Sequence, residues 1–186
     1  KSCGRPAIDT QVEIRDDDDN PLPIGEVGQI CAKGPQIMKG YWNKDEESQK
    51  ALKGGWMHTG DAGRMDEEGF VFIQDRIKDM IVSGGENIYS TEVEAALFAH
   101  PDVIDAAVIG VPDEKYGEVV KACIVKKEGS KINEEDLINF CKDRIASYKK
   151  PQSIDFIDEV PRNASGKVLK KVLREPYWKD QDRQVS

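Results

Sequence analysis

The chain has 186 residues, and its 27 Lys and Arg against 35 Asp and Glu give a formal net charge of −8. This acidic balance argues against a general nucleic-acid-binding protein, because such proteins usually present a basic surface to phosphates. No apolar run reaches the length that a membrane-spanning helix needs, and the first residues lack the hydrophobic region of a secretory signal. We therefore expect a cytoplasmic protein with no transmembrane segment and no nucleic-acid partner.

The first part of the chain has the pattern of short strands broken by turns. Gln11–Arg15 alternates with a period of two, as a half-buried strand does. The acidic run 16–20 could bind a cation, although a solvated loop is the more common structure for such a run. A second strand is predicted at 29–33, a helix at 44–52, and a hairpin turn at 66–69. These elements predict a β-rich segment.

The chain changes character near residue 78. Beyond it, the predicted order is helix, strand, strand, helix, strand, helix, with apolar β-branched runs at 103–111 and 118–127 as the first two strands. Asn133 and Asp136 have the spacing of a helix N-terminus, and a last strand is predicted at 153–160. After that strand, Ser-Gly-Lys at 165–167 is predicted to open a short basic helix.

These elements together predict an α+β fold in two domains. Residues 1–77 supply the β-rich part. Residues 78–186 supply a small α+β domain, in which a β-hairpin precedes a three-stranded sheet packed with helices. The sequence contains no internal repeats.

The stretch 74–94 joins the two parts. A dense charge cluster separates two apolar runs, and the second run ends at Gly84 and Gly85. Paired glycines allow positive φ and let another molecule approach the backbone closely. Thr91 and Glu94 have the spacing of a capping box at the start of the next helix. We predict a hinge that leads into a binding loop.

Cysteine and histidine, the usual ligands of zinc, are few and scattered in this sequence. The four cysteines include no Cys-x-x-Cys pair and are widely separated: Cys3, Cys31, Cys123 and Cys141. Reduced thiols of a cytosolic protein are the simplest interpretation of this spacing. His58 and His100 are too few and too far apart in the sequence to indicate zinc, so we predict no metal site.

Two residues of the first part could contact a nucleotide. Asp61 ends a Thr-Gly-Asp sequence, which we predict to be a turn, and its carboxylate could bind two neighbouring hydroxyls of a ribose. Asp is also common in turns for purely structural reasons. Arg76 could take part in the same site or belong to a solvated charged face. Spacing alone leaves both alternatives open.

Lys167 is the more informative cation. In the first turn of the predicted helix it would oppose the helix dipole, which costs roughly 0.3–1 kcal/mol. Either the side chain is simply exposed and mobile, or it reaches an anion. The sequence is not a P-loop, because Pro161 and Val168 stand where that motif requires Gly and Ser or Thr. Three further basic residues would suit a phosphate, although a solvated helix face is the more common arrangement: Lys170, Lys171 and Arg174.

The motifs in combination resemble those of the adenylate-forming superfamily, which includes acyl-CoA synthetases, adenylation domains and luciferases. Five groups carry the resemblance: Gly-Glu-Val-Gly at 25–28 with Gly-Tyr-Trp at 40–42, Gly-Trp-Met-His-Thr-Gly-Asp at 55–61, Asp-Arg-Ile-Lys-Asp-Met-Ile at 75–81, Ser-Gly-Gly-Glu-Asn-Ile at 83–88, and Pro-Arg-Asn-Ala-Ser-Gly-Lys at 161–167. Their order is that of the family, and the resemblance extends over essentially the whole chain. The segment 110–118 resembles the acyl-CoA synthetase branch.

The chain also departs from the family pattern. It lacks the Ser/Thr/Gly-rich phosphate loop, the later Thr-Glu motif and the acyl pocket of the family's large N-terminal region. It therefore resembles the C-terminal portion of such an enzyme. The resemblance implies that residues 1–77 end the large domain and that 78–186 form the whole mobile small domain.

The resemblance implies a role for each candidate residue. Asp61 would bind the ribose hydroxyls, and Arg76 would contact the same ribose or its phosphate. Lys167 would bridge the substrate carboxylate and the α-phosphate. Lys78 would be the hinge, a position where the family also uses Asp. Rotation there would bring in the lining of a pantetheine channel, formed by three residues: Ser83, Gly84 and Gly85.

Three functions follow from the sequence as hypotheses. The first is part of a ligase that converts a carboxylic acid, of fatty or similar apolar type, and Mg-ATP to an acyl-adenylate and then to an acyl-CoA. The second transfers the acyl group to a carrier protein or another acceptor. The third is a separate non-catalytic module that binds nucleotide or a partner.

The expected ligands are ATP or AMP, CoA and the acid, none bound tightly by this chain alone, and the expected partner is the absent N-terminal domain. We expect the isolated chain to be inactive.

Overall fold

The computed structural model describes residues 2–179. The chain forms two compact units, Lys1–Ile77 and Lys78–Ser186. The elements confirm the predicted α+β class, since sheets made mainly of antiparallel strands are combined with a few short helices. Within the described range, no helix is both long and apolar enough to cross a membrane.

The first unit is built on a four-stranded antiparallel sheet in the order β1-β2-β3-β4. Its elements are β1 Gln11–Arg15, β2 Gly28–Lys33, α1 Asp45–Ala51, β3 Met57–Met65 and β4 Val71–Arg76. Ile14 pairs with Ile30 across β1 and β2, and both pack with Val71 in a small buried cluster. Burial of this one sheet face explains the period-two alternation of β1.

The strand β3 corrects a prediction. Thr59, Gly60 and Asp61 do not form a turn, because they lie inside β3 at a bulge opposite Ile30 of β2. Gly60 has φ +76°, a left-handed conformation that glycine adopts without strain. A bulge bends its strand and changes the direction of a side chain, so it places Asp61 differently from a regular strand residue.

The described part of the second unit, residues 78–179, contains a five-stranded sheet and three α-helices. Its elements are β5 Ile81–Ser83, β6 Glu86–Ile88, α2 Ser90–Phe98, β7 Val103–Asp113, β8 Gly117–Lys126, α3 Glu134–Lys142, β9 Ser153–Phe156 and α4 Lys170–Arg174. β7 pairs antiparallel with β8, and β9 pairs parallel with β8. The hairpin of β5 and β6 joins β8 through one pair, Ser83 and Gly117.

Side chains from both faces of the β7–β8 ladder are buried. Val108 and Ala122 point into the main core with residues of α2 and α3. Ile109 and Cys123 point the other way and pack with Leu173 of α4. Coverage of both faces explains why β7 and β8 are mostly apolar rather than alternating between apolar and polar residues.

Two predicted helix starts are wrong and one is confirmed. α2 begins at Ser90 after Tyr89, and the carboxylate of Glu94 instead accepts the backbone N–H of Val108 at 2.9 Å. α4 begins only at Lys170, so Lys167 lies in the preceding loop and the expected dipole penalty does not apply to it. Asn133 and Asp136 do form a capping box at the start of α3.

Candidate functional site

Asp61 and Arg76 lie opposite each other on the first unit's sheet. They are register partners on β3 and β4, and Nε of Arg76 is 3.7 Å from Oδ1 of Asp61. About half of the Arg76 side chain and a third of the Asp61 side chain are exposed, at 53% and 31%. The arrangement presents a carboxylate that can accept hydrogen bonds beside a guanidinium that can donate them, which suits a ribose and its phosphate.

The backbone around Asp61 is fixed by Thr59. The Thr59 hydroxyl donates to the carbonyl oxygen of Ile30 at 2.8 Å and accepts the backbone N–H of Asp61 at 3.1 Å. A cavity of about 220 Å³ lies beside these two residues, with Val71 and Ile73 among its apolar lining. The bulge therefore places the carboxylate at the edge of a partly apolar recess in the same unit.

Lys167 is presented by a tightly bonded loop of the second unit. The side-chain oxygen of Asn163 accepts hydrogen bonds from the backbone N–H of Ser165 and of Lys167, at 3.0 and 2.9 Å. The backbone N–H of Asn163 in turn donates to the carbonyl oxygen of Lys167 at 2.9 Å. Lys167 itself is exposed, and within residues 2–179 its ammonium forms no ion pair. The backbone is held while the charge remains available to an external anion.

The neighbouring basic residues differ from Lys167 in their contacts. Nζ of Lys170 lies 2.7 Å from the Glu94 carboxylate, where both side chains are mostly buried. Arg174 forms an ion pair with Asp79 at 2.9 Å. Lys170 and Arg174 therefore attach α4 to its own unit, and the predicted four-residue phosphate site loses two of its members.

The proposed hinge residue, Lys78, is the first residue of the second unit and is exposed. Its carbonyl oxygen accepts a hydrogen bond from Nη1 of Arg174 at 3.2 Å, and the next residue, Asp79, forms the ion pair described above. From the Lys78 carbonyl onward the backbone is thus attached to α4. A backbone rotation that carries the second unit as one body would therefore fall at or before Lys78.

The glycine pair forms the tip of the β5–β6 hairpin. Gly84 and Gly85 have φ of +59° and +88°, and Ser83 pairs with Glu86 across them, as in a two-residue turn of the primed type. The backbone N–H of Gly84 donates to the carbonyl oxygen of Tyr116 at 2.9 Å. A Cβ at Gly84 would lie 3.1 Å from the Tyr116 ring. The turn thus exposes bare backbone next to an aromatic side chain.

Sequence reasoning missed a polar cluster in the first unit. Asp19, Cys31 and His58 have potential metal-ligand atoms within 4.8 Å of one another. However, Arg15 already donates to Asp19 at 3.1 Å, which places a positive charge where a cation would bind. Burial also raises the pKa of the Cys31 thiol to about 11, which disfavours the thiolate form that metals require. We assign no metal to this cluster.

The candidate residues fall into two groups. Asp61 and Arg76 are brought together on one sheet of the first unit. The other candidates belong to the second unit: Lys78, Ser83, Gly84, Gly85 and Lys167. Sequence reasoning also missed Arg162 and Asp105, whose ion pair of 2.7 Å holds the loop that carries Lys167.

Comparison with known proteins gives the same family for both parts of the chain. Residues 92–167 match the AMP-binding enzyme C-terminal domain, and residues 1–42 match the AMP-binding enzyme family. The chain belongs to the AMP-binding enzyme family. Proteins similar to it include acyl-CoA ligases.

Three similar proteins illustrate the range of relatives. A long-chain-fatty-acid–CoA ligase of Escherichia coli O6:H1 is 45% identical over 94% of this chain and 31% of its own length. A fatty acid–[acyl-carrier-protein] ligase, ScoC of Streptomyces coeruleorubidus, is 43% identical over 100% of this chain and 36% of its own. The crystal structure of ATP-bound MatB from Rhodopseudomonas palustris has a TM-score of 0.89 and 38% identity, covering 96% of this chain and 36% of that chain. The chain thus spans about a third of the length of these proteins.

Proposed function

We propose that this chain is the C-terminal part of an ATP-dependent acid–thiol ligase, which activates a fatty or similarly apolar carboxylic acid and transfers it to CoA. The observation that carries the proposal is the exposed ammonium of Lys167 on a loop whose backbone is fixed by Asn163. In this proposal, residues 1–77 end the large domain and residues 78–186 form the mobile small domain. Free cysteines at all four positions suit a reducing cytoplasmic location.

In the first half-reaction, an oxygen of the substrate carboxylate attacks the α-phosphorus of Mg-ATP, and the bond to the leaving pyrophosphate breaks. Asp61 accepts hydrogen bonds from the ribose hydroxyls, while Arg76 donates to the same ribose or its phosphate. Lys167 bridges the carboxylate and the α-phosphate and stabilises the negative charge that increases on the phosphate oxygens. The products are acyl-adenylate and pyrophosphate.

In the second half-reaction, the CoA thiol loses its proton and its sulfur attacks the acyl carbonyl carbon, so that AMP leaves and a thioester forms. We propose that rotation at Lys78 withdraws Lys167 and brings the turn formed by Ser83, Gly84 and Gly85 to the pantetheine arm. Domain rotation about one or two residues is a common way to complete a second site. The bare backbone of the turn leaves room for the thiol arm.

A carrier protein is the second candidate acceptor, and the 43% identity to a fatty acid–[acyl-carrier-protein] ligase favours it. Incubating the complete enzyme with acid, ATP and either CoA or a phosphopantetheinyl carrier protein distinguishes the two. We expect thioester on CoA. Product on the carrier alone would overturn the CoA assignment while retaining the adenylation chemistry.

The isolated chain is expected to catalyse neither half-reaction. It contains the candidates Asp61, Arg76 and Lys167, but the phosphate loop and acyl pocket of the family's large domain are not in its sequence. ATP–pyrophosphate exchange, measured with a panel of fatty acids and with the complete enzyme as positive control, checks this. Acid-dependent exchange by the isolated chain would contradict it. Tight ATP binding without exchange would instead support the non-catalytic nucleotide-binding module.

Replacing Asp61 with asparagine in the complete enzyme is expected to raise the KM for ATP about 10–100-fold, the size expected for hydrogen bonds to a charged group. The amide keeps the shape of the carboxylate, but it loses the charge and one of the two acceptor oxygens that the ribose hydroxyls would use. Glu68→Gln, an exposed carboxylate in the turn between β3 and β4, is the matched control and should leave the KM unchanged. An unchanged KM for ATP in Asp61→Asn would remove Asp61 from the nucleotide site.

A further inference from the structure

Arg162 connects residues 161–169, which we call the Lys167 loop, to the sheet of the second unit. Its Nη2 donates to both carboxylate oxygens of Asp105 on β7, at 2.9 and 2.7 Å, and its Nη1 donates to the carbonyl oxygen of Gly166 at 3.0 Å. One guanidinium therefore binds the sheet and the residue before Lys167 at the same time. Five N–H donors in a rigid plane make this double contact possible.

Asp105 is itself held in place. Its Oδ1 accepts the backbone N–H of Ala106 at 3.0 Å, and its side chain is only 24% exposed. Ala106 lies in the main core of the second unit. The Asp105 carboxylate is thus fixed to the β7–β8 ladder, which is the most extensively paired part of the sheet. Because Arg162 binds this carboxylate, the ion pair holds the loop in a defined position relative to the sheet.

The loop has few other attachments near Lys167. Asn163 links positions inside the loop, since its side chain bonds to Ser165 and Lys167, but these bonds shape the loop without fixing its direction relative to the sheet. At its base, the backbone N–H of Leu169 donates to the carbonyl oxygen of Pro161 at 2.8 Å. The contact between Arg162 and Asp105 is the one side-chain ion pair that joins the described loop residues 161–169 to a strand.

We propose that Asp105 and Arg162 are positioning residues for adenylation, which hold the Lys167 ammonium in the orientation that the carboxylate and α-phosphate require. This inference rests on the proposed function of Lys167. A catalytic group held about 1 Å out of place can lose about 10²-fold in rate, so a loosened loop has a kinetic effect even when the fold is intact. The pair has no role in thioester formation, where Lys167 is not used.

The test uses Arg162→Gln and Asp105→Asn in the complete enzyme, with each half-reaction measured separately. We expect ATP–pyrophosphate exchange to fall about 10–100-fold in kcat, with the KM for ATP changed less than about 3-fold. Thioester formation from supplied acyl-adenylate should stay within about 3-fold of wild type. Arg162→Lys should give an intermediate rate, because one ammonium cannot span both partners in a planar fork.

The matched control is Lys149→Gln. Lys149 donates to both carboxylate oxygens of Glu92 at 2.9 and 2.7 Å, which are the distances of the Arg162 pair, but it lies outside the Lys167 loop. The Lys149→Gln substitution should leave both half-reactions unchanged.

Hydrogen exchange measured on the same enzymes should show faster exchange of backbone amides at residues 163–168 in the Arg162 and Asp105 variants, with amides of β7 exchanging as slowly as in wild type.

Two results would overturn the inference. The first is wild-type ATP–pyrophosphate exchange in both the Arg162→Gln and the Asp105→Asn enzymes. The second is an equal fall of both half-reactions together with a lower melting temperature, because that result indicates a purely structural ion pair. Lys167→Ala, assayed in parallel, distinguishes a failure of the positioning role of Asp105 and Arg162 from a failure of the proposed role of Lys167 in adenylation. If Lys167→Ala is inactive in adenylation while the loop variants are normal, only the positioning role fails. If Lys167→Ala is fully active, the proposed function of Lys167 fails.

Discussion

Lys167→Ala in the complete enzyme is expected to lower ATP–pyrophosphate exchange by at least about 10²-fold, because removal of one preorganised charge from a developing anion has effects of that size. Thioester formation from supplied acyl-adenylate should be largely unaffected, since the proposed second conformation does not use Lys167. Both half-reactions can be measured on the same purified enzyme. The split between them distinguishes a catalytic charge from general damage to the fold.

Lys131→Ala is the matched control for this experiment. Lys131 is also an exposed lysine of the second unit, it lies outside both α4 and the loop that carries Lys167, and in the described part of the chain it has no ion-pair partner. Its removal should leave both half-reactions unchanged. An equal loss of adenylation and thioester formation in Lys167→Ala would contradict the assigned role.

Gly84→Leu is expected to have the opposite effect, with CoA transfer lowered about 10²-fold and ATP–pyrophosphate exchange close to wild type. A side chain at this position would fill the proposed channel, and its Cβ would lie 3.1 Å from the Tyr116 ring. The substitution also forces a non-glycine residue to φ +59°, which costs roughly 1–2 kcal/mol. The melting temperature must therefore be measured with the activity.

Gly129→Leu controls for the backbone cost alone. Gly129 has φ +77°, and a Cβ there would meet nothing within 4 Å. Both leucine variants should lose stability through the strained backbone, with the contact to Tyr116 adding to the loss at Gly84, but only Gly84→Leu should lose CoA transfer. Unimpaired transfer in a folded Gly84→Leu enzyme would remove the glycine turn from the pantetheine path.

Much of the secondary structure of the second unit could be predicted because the distribution of apolar residues in its sequence directly reflects which side chains are buried. The runs that became β7 and β8 are mostly apolar and do not alternate with a period of two, and the structure covers both of their faces. The start of α3 is encoded locally, so the spacing of Asn133 and Asp136 was sufficient to predict a helix N-terminus there, and the two residues form a capping box. The adjacent glycines at 84 and 85 predict a loop with positive φ, and both residues have it.

The features that were missed depend on residues far apart in sequence. The bulge at Thr59–Asp61 is defined by the register of β3 against β2, which Thr-Gly-Asp alone does not encode. Glu94 has capping-box spacing, but its carboxylate is used by Val108 and Lys170. Arg162 was passed over because its partner, Asp105, is 57 positions away. A basic residue inside the Lys167 motif was the only available signal.

The most direct test of the proposed function is the stoichiometry of the complete enzyme's reaction with a fatty acid, ATP and CoA. Adenylation followed by transfer predicts one AMP and one pyrophosphate for each acyl-CoA formed, with pyrophosphate also released in a burst when CoA is omitted. Release of ADP and phosphate, or of AMP with no dependence on the acid, would contradict the account.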